Sequence, residues 1–207
     1  MLTLDSPPMN TFGIDAIKAL KVFFQQCAED RPLLITGRGS AFSAGVDTKL
    51  FASYDSDQRA QLFQEITNMT SALVSIPAPV IAAINGHALG GGLVVALCCD
   101  YRLAVDGDHK FGLTEASAGI PFPAGPVEVI ANELPCPLLR RLTLTSRVIS
   151  AQELAAQGII DELHESSALL ASAKHRAREI SGQLAFRQVK EQIRGRLAER
   201  LVALVKS

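Results

Sequence analysis

Apolar residues recur at helical spacing in two segments of the first half of the chain. In the first segment they lie three or four residues apart, which predicts an amphipathic helix over roughly 13–29. Its apolar positions are Ile14, Ile17, Leu20, Phe24 and Cys27. The second segment predicts a helix that begins after Ser56 or Asp57 as its cap and ends before Pro77. Its apolar positions are Leu62, Ile66, Met69 and Leu73.

Short continuous apolar runs predict buried strands between these helices. Leu33–Thr36 follows Pro32 and leads into a glycine-rich loop over 37–45. Val80–Ile84 follows Pro79 and leads, through the turn at Asn85-Gly86, into three consecutive glycines. The further predicted strands are Tyr101–Val105, Lys110–Gly112 and a short strand that begins at Ile159-Ile160.

The second half of the chain is increasingly helical in pattern. After the glycines, Leu93–Cys99 predicts a short helix, and Ser150 with Glu153 forms a capping box for another helix, which Gly158 closes. Residues 166–205 are rich in Ala, Leu, Arg and Glu and predict helix almost throughout. Strands therefore alternate with helices before an all-helical region, which predicts an α/β fold with a boundary near 163–166.

Composition narrows the possible functions. The chain has 207 residues, is 48% hydrophobic and carries 20 Lys and Arg against 21 Asp and Glu, so it can bury a large core and shows no basic excess for nucleic acid. No apolar run approaches the ~20 residues of a membrane span, and the start lacks the pattern of a signal peptide. Four cysteines without ligand spacing predict reduced thiols, and we expect a cytoplasmic protein.

Three stretches could carry chemistry. The small residues of Ala41–Asp47 follow a strand and could present backbone N–H groups to a carbonyl or phosphate, although an ordinary tight turn would look the same. Gly90, Gly91 and Gly92 open a helix, where free N–H groups can hold an oxyanion, although close helix–sheet packing also explains glycine. Glu115 lies in an uncharged run, which would raise its pKa toward that of a general base, although a first-turn Glu also suits a helix dipole.

Two other motifs favour simpler interpretations. Ala41-x-Ser43-x-Gly45 is one residue short of a nucleophile elbow, and residues 37–40 intervene between the strand and the serine, which disfavours a serine hydrolase. The four histidines, His87, His109, His164 and His175, have no metal-like spacing, so we expect no metal site. His87 could line a pocket beside the glycines, but a neutral buried or surface histidine is the simpler interpretation.

Taken in order, these stretches resemble the enoyl-CoA hydratase/isomerase (crotonase) superfamily. The similar segments are Pro8–Asn10, Thr36–Asp47, Ile76–Gly92, Cys99–Arg102, Phe111–Pro121 and Leu144–Asp161. The resemblance implies a crotonase-like spiral of ββα turns over 1–165, followed by a C-terminal helical region over 166–207. Compared with the family pattern, this helical region and the N-terminal hairpin are both expected to be short. It also implies assembly as a homotrimer or hexamer, and an acyl-CoA substrate with no separate cofactor.

The resemblance also assigns roles to residues. The backbone N–H groups of Val46 and Gly91 would form an oxyanion hole for the thioester oxygen, and Glu115 would be the catalytic base. Val94 and Pro121 would line the acyl pocket. The CoA groove would be lined by Phe42, Ser43, Ala44, Gly45, Asp47, His87, Ala88, Leu89 and Gly90.

One departure from the family pattern decides between reactions. Hydratases of the family use two glutamates, and the position of the first is Val94 here. A single carboxylate suits a double-bond shift, which needs one base that takes a proton from C2 and returns it at C4. The chain is therefore most similar to single-glutamate Δ3-Δ2-enoyl-CoA isomerases. Enoyl-CoA hydration, thioester hydrolysis and a non-catalytic acyl-CoA-binding paralogue remain alternatives, as does a purely structural partner-binding protein.

Overall fold

The computed structural model describes residues 1–206 and has the α/β fold that the sequence predicts. The strands are β1 (Leu2–Leu4), β2 (Leu33–Gly37), β3 (Ala41–Ser43), β4 (Val80–Ile84), β5 (His87–Leu89), β6 (Tyr101–Val105), β7 (Phe111–Gly112), β8 (Val148–Ile149) and β9 (Glu162–His164). The helices are α1 (Ile14–Gln25), α2 (Thr48–Ser53), α3 (Ser56–Val74), α4 (Gly91–Cys98), α5 (Glu115–Ala118), α6 (Ala124–Glu133), α7 (Cys136–Leu144), α8 (Ala151–Ala156), α9 (Leu169–Ser181) and α10 (Phe186–Lys206).

Successive strands alternate between two sheets, which produces a spiral of ββα turns. The first sheet has the order β1-β2-β4-β6-β9 and is parallel throughout. The second has the order β3-β5-β7-β8 and is parallel except for the β7–β8 pair. Each β2-β3, β4-β5 and β6-β7 pair thus contributes one strand to each sheet before the chain enters a helix. This is the crotonase-like arrangement expected from the resemblance.

The continuous apolar runs are buried on both sides, as a parallel sheet covered on both faces requires. Every residue of Val80–Ile84 is buried in β4. Helices α3, α4, α6 and α10 pack together over one main core. Helix α9 covers a second, smaller cluster on the sheet that contains Leu34, Ile81 and Leu103.

Several sequence predictions need correction. Asp55, and not Ser56 or Asp57, caps α3, because its side chain accepts from the backbone nitrogen of Gln58 in a capping box. Part of the predicted 37–45 loop is strand β3, and the segment before the glycines is strand β5, because these two short segments pair with each other. The last strand lies at Glu162–His164, after the buried Ile159 and Ile160.

The helices between Glu115 and Leu144 were not predicted from the sequence. Helices α5, α6 and α7 are short and separated by prolines, so no apolar period extends far enough to reveal them. The helical region after residue 166 is confirmed as α9 and α10, and the Ser150 capping box is confirmed at α8. Within residues 1–206, no helix combines the length and the low charge that a membrane crossing demands.

Candidate active site

Two buried polar side chains fix the end of β3. The Asn10 Nδ2 group donates to the carbonyl oxygens of Ala41, at 2.8 Å, and Phe42, at 3.2 Å. The Ser43 Oγ donates to the Asn10 carbonyl at 2.7 Å and accepts from the Gly45 nitrogen at 3.1 Å. These bonds tie the backbone from β3 to Gly45 to a distant part of the chain, so the next peptide group has a defined direction.

That next peptide group presents the Val46 N–H to open space. The Phe12 nitrogen donates to the Gly45 carbonyl at 2.8 Å, and the Asp47 nitrogen donates to the Phe12 carbonyl at 3.0 Å. Successive N–H groups of an extended segment point to opposite sides, so the Val46 N–H faces away from Phe12. It forms no backbone hydrogen bond within residues 1–206 and remains available to a ligand.

The three consecutive glycines have different structural roles. A Cβ atom on Gly92 would overlap the Ser43 carbonyl group, so this glycine permits close packing of α4 on β3. Gly91 is the first residue of α4, where N–H groups have no intrahelical acceptor. A Cβ atom on Gly91 would lie 3.9 Å from the Val46 nitrogen, which shows how close the two segments are. Close packing therefore explains Gly92, and ligand approach at Gly91 stays a prediction.

Glu115 begins α5 on the other side of Gly90. A Cβ atom on Gly90 would lie 3.3 Å from the Glu115 Oε1, and Gly90 has a φ of +51°, which a side chain would rarely adopt. The Glu115 Oε2 is buried and has no hydrogen-bond partner among the described residues. Burial without a cation beside it raises the Glu115 pKa from 4.5 to about 7, against a small lowering by its own backbone N–H. Glu115 can therefore give or accept a proton near neutral pH.

Glu115 and the two N–H groups border one narrow cavity of about 60 Å³. The predicted site residues around it are Ala44, Val46, Gly90, Gly91, Val94, Glu115 and Pro121. Val94 is buried and contributes an apolar part of the wall. Glu115 is the sole ionisable side chain lining this cavity in the part of the chain that the structure describes.

The other predicted CoA-groove residues lie on the segments that lead to this cavity. The side chains of Phe42 and Ser43 are fully buried. Asp47 caps α2, where its carboxylate accepts from the Lys49 and Leu50 nitrogens at 2.9 and 3.0 Å. Gly45 packs against Gly91, and His87, Ala88 and Leu89 form β5. Their contact with CoA stays a prediction.

Sequence reasoning missed most of the apolar wall. Phe63 and Ile66 reach the cavity from α3, and Ile120, Phe122, Pro123 and Pro126 reach it from the segment that leads into α6. The sequence predicts Ile66 on the apolar face of its helix. A helical period cannot distinguish a residue in the core from one in a cavity wall. The uncharged run after Glu115 was the one available signal for the second group.

Ser43 and His87, which the sequence analysis assigned to simpler roles, each form hydrogen bonds within the protein. The Ser43 hydroxyl is buried between Asn10 and Gly45, where it organises the backbone and cannot reach a substrate. The His87 Nδ1 accepts from the Lys110 nitrogen at 2.9 Å, and burial together with the neighbouring His109 lowers the His87 pKa. Among residues 1–206, no three His, Cys, Asp or Glu side chains converge as metal ligands would. A metal-free reaction stays a prediction.

Comparison with known proteins identifies this arrangement. The family model for enoyl-CoA hydratase/isomerase matches residues 1–206. The chain belongs to the enoyl-CoA hydratase/isomerase family of enzymes. It is 32% identical to the putative enoyl-CoA hydratase/isomerase YngF of Bacillus subtilis over 92% of this chain and 75% of that protein. It is also 39% identical to a probable enoyl-CoA hydratase of the same organism, over 58% of this chain but about half, 48%, of that relative.

Solved structures of the family share the fold. The probable enoyl-CoA hydratase EchA3 of Mycobacterium tuberculosis superposes with a TM-score of 0.88 over 99% of this chain and 88% of that one, at 24% sequence identity. A likeness at this identity supports the crotonase fold alone. The reaction must therefore be argued from this chain's own residues.

In this family member, a buried ion cluster stands at the opposite end of α4 from the cavity. Asp100 pairs with Lys190 at 2.6 Å and with Arg194 at 2.9 Å, and both cations come from α10. Glu133 pairs with Arg194 and with Arg102, each at 3.2 Å. The side chains of this cluster are 9–14% exposed, so the ion pairs are largely removed from water.

The same two arginines hold the last carbonyl groups of α4. Arg194 donates to the carbonyl oxygens of Cys98, at 2.9 Å, and Leu97, at 3.3 Å. Arg102 donates to the Leu97 carbonyl at 3.2 Å. Guanidinium groups at a helix C-terminus satisfy its free acceptors and complement its dipole. Helix α4 is thus fixed at one end by α10 and presents Gly91 to the cavity at the other.

Proposed function

We propose that this protein is a Δ3-Δ2-enoyl-CoA isomerase that uses Glu115 as its single acid–base group. The observation that carries the proposal is the pairing of one carboxylate, with a pKa of about 7, and an apolar Val94 across the same cavity. A double-bond shift requires one group that removes and returns a proton. Water addition requires in addition a second group to orient and activate the water, and Val94 cannot do so.

In the proposed reaction, the Val46 and Gly91 N–H groups bind the thioester oxygen of a 3-enoyl-CoA. The Glu115 carboxylate removes a proton from C2, and the electron pair moves toward the thioester oxygen to give a dienolate. The two N–H groups stabilise that negative charge, which is larger in the transition state than in the bound ester. The protonated Glu115 then returns the proton to C4, and the double bond lies between C2 and C3.

The surroundings of Glu115 favour this shuttle. Its Oε2 has no hydrogen-bond partner among the described residues, so no neighbouring side chain is placed to accept a proton that the carboxyl group takes from carbon. A pKa near 7 allows that group to be a base before the transfer and an acid after it. The substrate supplies CoA itself, and we propose no further cofactor. Assembly as a trimer or hexamer and a cytoplasmic location remain proposals beside this one.

Product analysis with two substrates tests the proposal. The protein is incubated separately with 3-hexenoyl-CoA and 2-hexenoyl-CoA, and products are separated by chromatography and weighed by mass spectrometry. We expect the 3-enoyl ester to become the 2-enoyl ester with no change of mass. Addition of water to the 2-enoyl ester, release of free CoA, or tight binding without turnover would each contradict the isomerase. These results would indicate a hydratase, a thioesterase and a non-catalytic binder, respectively.

A further inference from the structure

The cavity beside Glu115 is small for a ligand pocket. Ligand pockets commonly measure roughly 300–1,000 Å³. This one offers about 60 Å³. A water-sized group needs on the order of 10–15 Å³ on this scale, so the cavity admits about four to six such groups. The space therefore matches the first few carbons of an acyl chain.

Part of the cavity wall is formed by large or rigid side chains. Phe63 and Ile66 come from α3, and Pro123 and Pro126 come from the start of α6. Phe63 is itself held by a stacked contact with Phe51 at a ring distance of 5.9 Å. Proline rings lack the rotamers that would let a chain pass. Opening this wall therefore requires movement of a helix and not of one flexible side chain.

Helices α3 and α6 are in close contact at residues adjacent in sequence to that wall. A Cβ atom on Gly125 would lie 3.0 Å from the Thr67 Cα, so the two backbones are in close contact there. The Gly125 nitrogen also donates to the Thr67 Oγ1 at 3.3 Å, and Thr67 is buried. Thr67 is the next residue after Ile66, so this contact holds the Ile66 part of α3 against the start of α6.

The charge of the cavity restricts the acyl group as well. Within the described residues, no lysine or arginine lines the cavity, and its one ionisable group is Glu115. An acyl chain with a terminal carboxylate would meet no cation and would be repelled by the ionised Glu115. Burying such a charge without a partner is costly.

We infer that the wall formed by Phe63, Ile66, Pro123 and Pro126 restricts this enzyme to short, uncharged acyl groups, of roughly four to six carbons. This inference rests on the proposed function, because it assumes that the acyl chain of a CoA ester enters the cavity beside Glu115. It assigns to Ile66 the role of a specificity-determining residue.

The test compares chain lengths in the wild type and in Ile66→Ala. The substrates are 3-butenoyl-, 3-hexenoyl-, 3-octenoyl- and 3-decenoyl-CoA, and the readout is kcat/KM. In the wild type we expect kcat/KM to fall at least about tenfold from hexenoyl to decenoyl. Because one methylene group in an apolar pocket changes discrimination by about 10- to 200-fold, Ile66→Ala should raise the decenoyl value at least about tenfold relative to the hexenoyl value.

Met69→Ala is the matched control, since Met69 is buried on the same helix but does not line the cavity. It should lose comparable stability and keep the wild-type order of substrates. Phe63→Ala provides a second enlargement if Ile66→Ala does not fold. A wild type that prefers decenoyl-CoA, or an equal change of preference in Met69→Ala, would overturn the inference while leaving the isomerase intact.

Binding separates this inference from the proposed function. Calorimetry with saturated butanoyl-, hexanoyl- and decanoyl-CoA needs no turnover, and we expect decanoyl-CoA to bind at least about tenfold more weakly than hexanoyl-CoA. Glutaryl-CoA should bind at least about tenfold more weakly than pentanoyl-CoA, which has the same carbon number. Equal affinities within either pair would contradict the inference. Absence of isomerisation alongside these affinity differences would instead contradict the proposed function alone.

Discussion

Gly45 and Gly91 pack backbone to backbone, so that a Cβ atom on Gly45 would lie 2.5 Å from the Gly91 nitrogen. The contact joins the segment after β3 to the start of α4 and brings the Val46 and Gly91 N–H groups to the same cavity. A side chain at Gly45 would separate the two segments, whereas a Cβ atom on Gly91 would lie at ordinary contact distance, 3.5 Å from the Gly45 Cα. The contact is thus the structural basis of the proposed oxyanion hole.

Gly45→Ala should therefore impair catalysis strongly. The added methyl group would push Gly91 away and spoil the placement of its N–H, and loss of one oxyanion donor lowers rates by about 10²–10³-fold. We expect kcat for 3-hexenoyl-CoA to fall by about 100-fold or more. Steady-state kinetics, with circular dichroism to verify folding, measures the effect.

Gly39→Ala is the matched control for this prediction. Gly39 and Gly45 have the same φ of +77°, so alanine introduces the same backbone strain at both. A Cβ atom on Gly39, however, would meet nothing within 4 Å. Gly39→Ala should lose stability but keep kcat within about threefold of the wild type. Equal loss of kcat in both variants would assign the effect to backbone strain and not to the oxyanion hole.

The rate should depend on pH through Glu115. As a base it must be ionised, and its pKa is raised to about 7 because burial disfavours the charged carboxylate. We therefore expect kcat/KM to rise with pH, with unit slope on a logarithmic scale, and to level off above about pH 7. A profile that is flat between about pH 5 and pH 9 would be inconsistent with Glu115 as the base.

The same pKa shift predicts a pH-dependent stability difference between the wild type and Glu115→Gln. The folded-state pKa lies above the ordinary glutamate value of 4.5, so the stabilisation from the neutral carboxyl is complete below pH 4.5 and is lost as pH rises through about 7. Glutamine cannot ionise. Glu115→Gln should thus match the wild type in acid and exceed it above neutrality, by up to about 3 kcal/mol for the shift from 4.5 to about 7.

Urea unfolding of both proteins at about pH 5 and about pH 8.5 measures this difference. The quantity of interest is the difference in free energy of unfolding between Glu115→Gln and the wild type, compared at the two pH values. A gap that stays constant, or that widens toward acid, would mean that burial of Glu115 does not oppose its ionisation.

The buried ion cluster should contribute more to stability than an exposed pair on the same helix. Asp100→Ala would leave Lys190 and Arg194 without their shared partner and would remove the acceptor of the Val80 nitrogen. Breaking a buried pair costs about 3–5 kcal/mol. Glu128→Ala removes only the exposed partner of Arg200 and should cost less than about 1 kcal/mol. Similar losses in denaturant unfolding would contradict this ranking.

The sequence predicts the framework of the fold because β2, β4 and β6 have strong local patterns. Val80–Ile84 is continuously apolar, and it forms a fully buried strand as expected. The short strands β3 and β5 were missed because each has three residues, and their pairing depends on a partner more than forty positions away. No local period can report such a contact.

For the site, the sequence indicates the reacting groups better than their surroundings. Glu115 stands out as a carboxylate in an uncharged run, and the structure gives it the raised pKa that this context predicts. Phe63 gave no such signal, because an apolar residue on α3 looks the same whether it meets the core or the cavity. The contact of Arg194 with the end of α4 depends on the docking of α10, which the sequence does not reveal.

The conversion of 3-hexenoyl-CoA to 2-hexenoyl-CoA by the wild type and by Glu115→Gln tests the central claim most directly. Glutamine keeps the size of the side chain but cannot accept the C2 proton. The account predicts conversion by the wild type, a loss of about 100-fold or more in Glu115→Gln, and similar affinities of the two proteins for hexanoyl-CoA. Comparable conversion rates in the two proteins would contradict it, because the double bond would then move without Glu115.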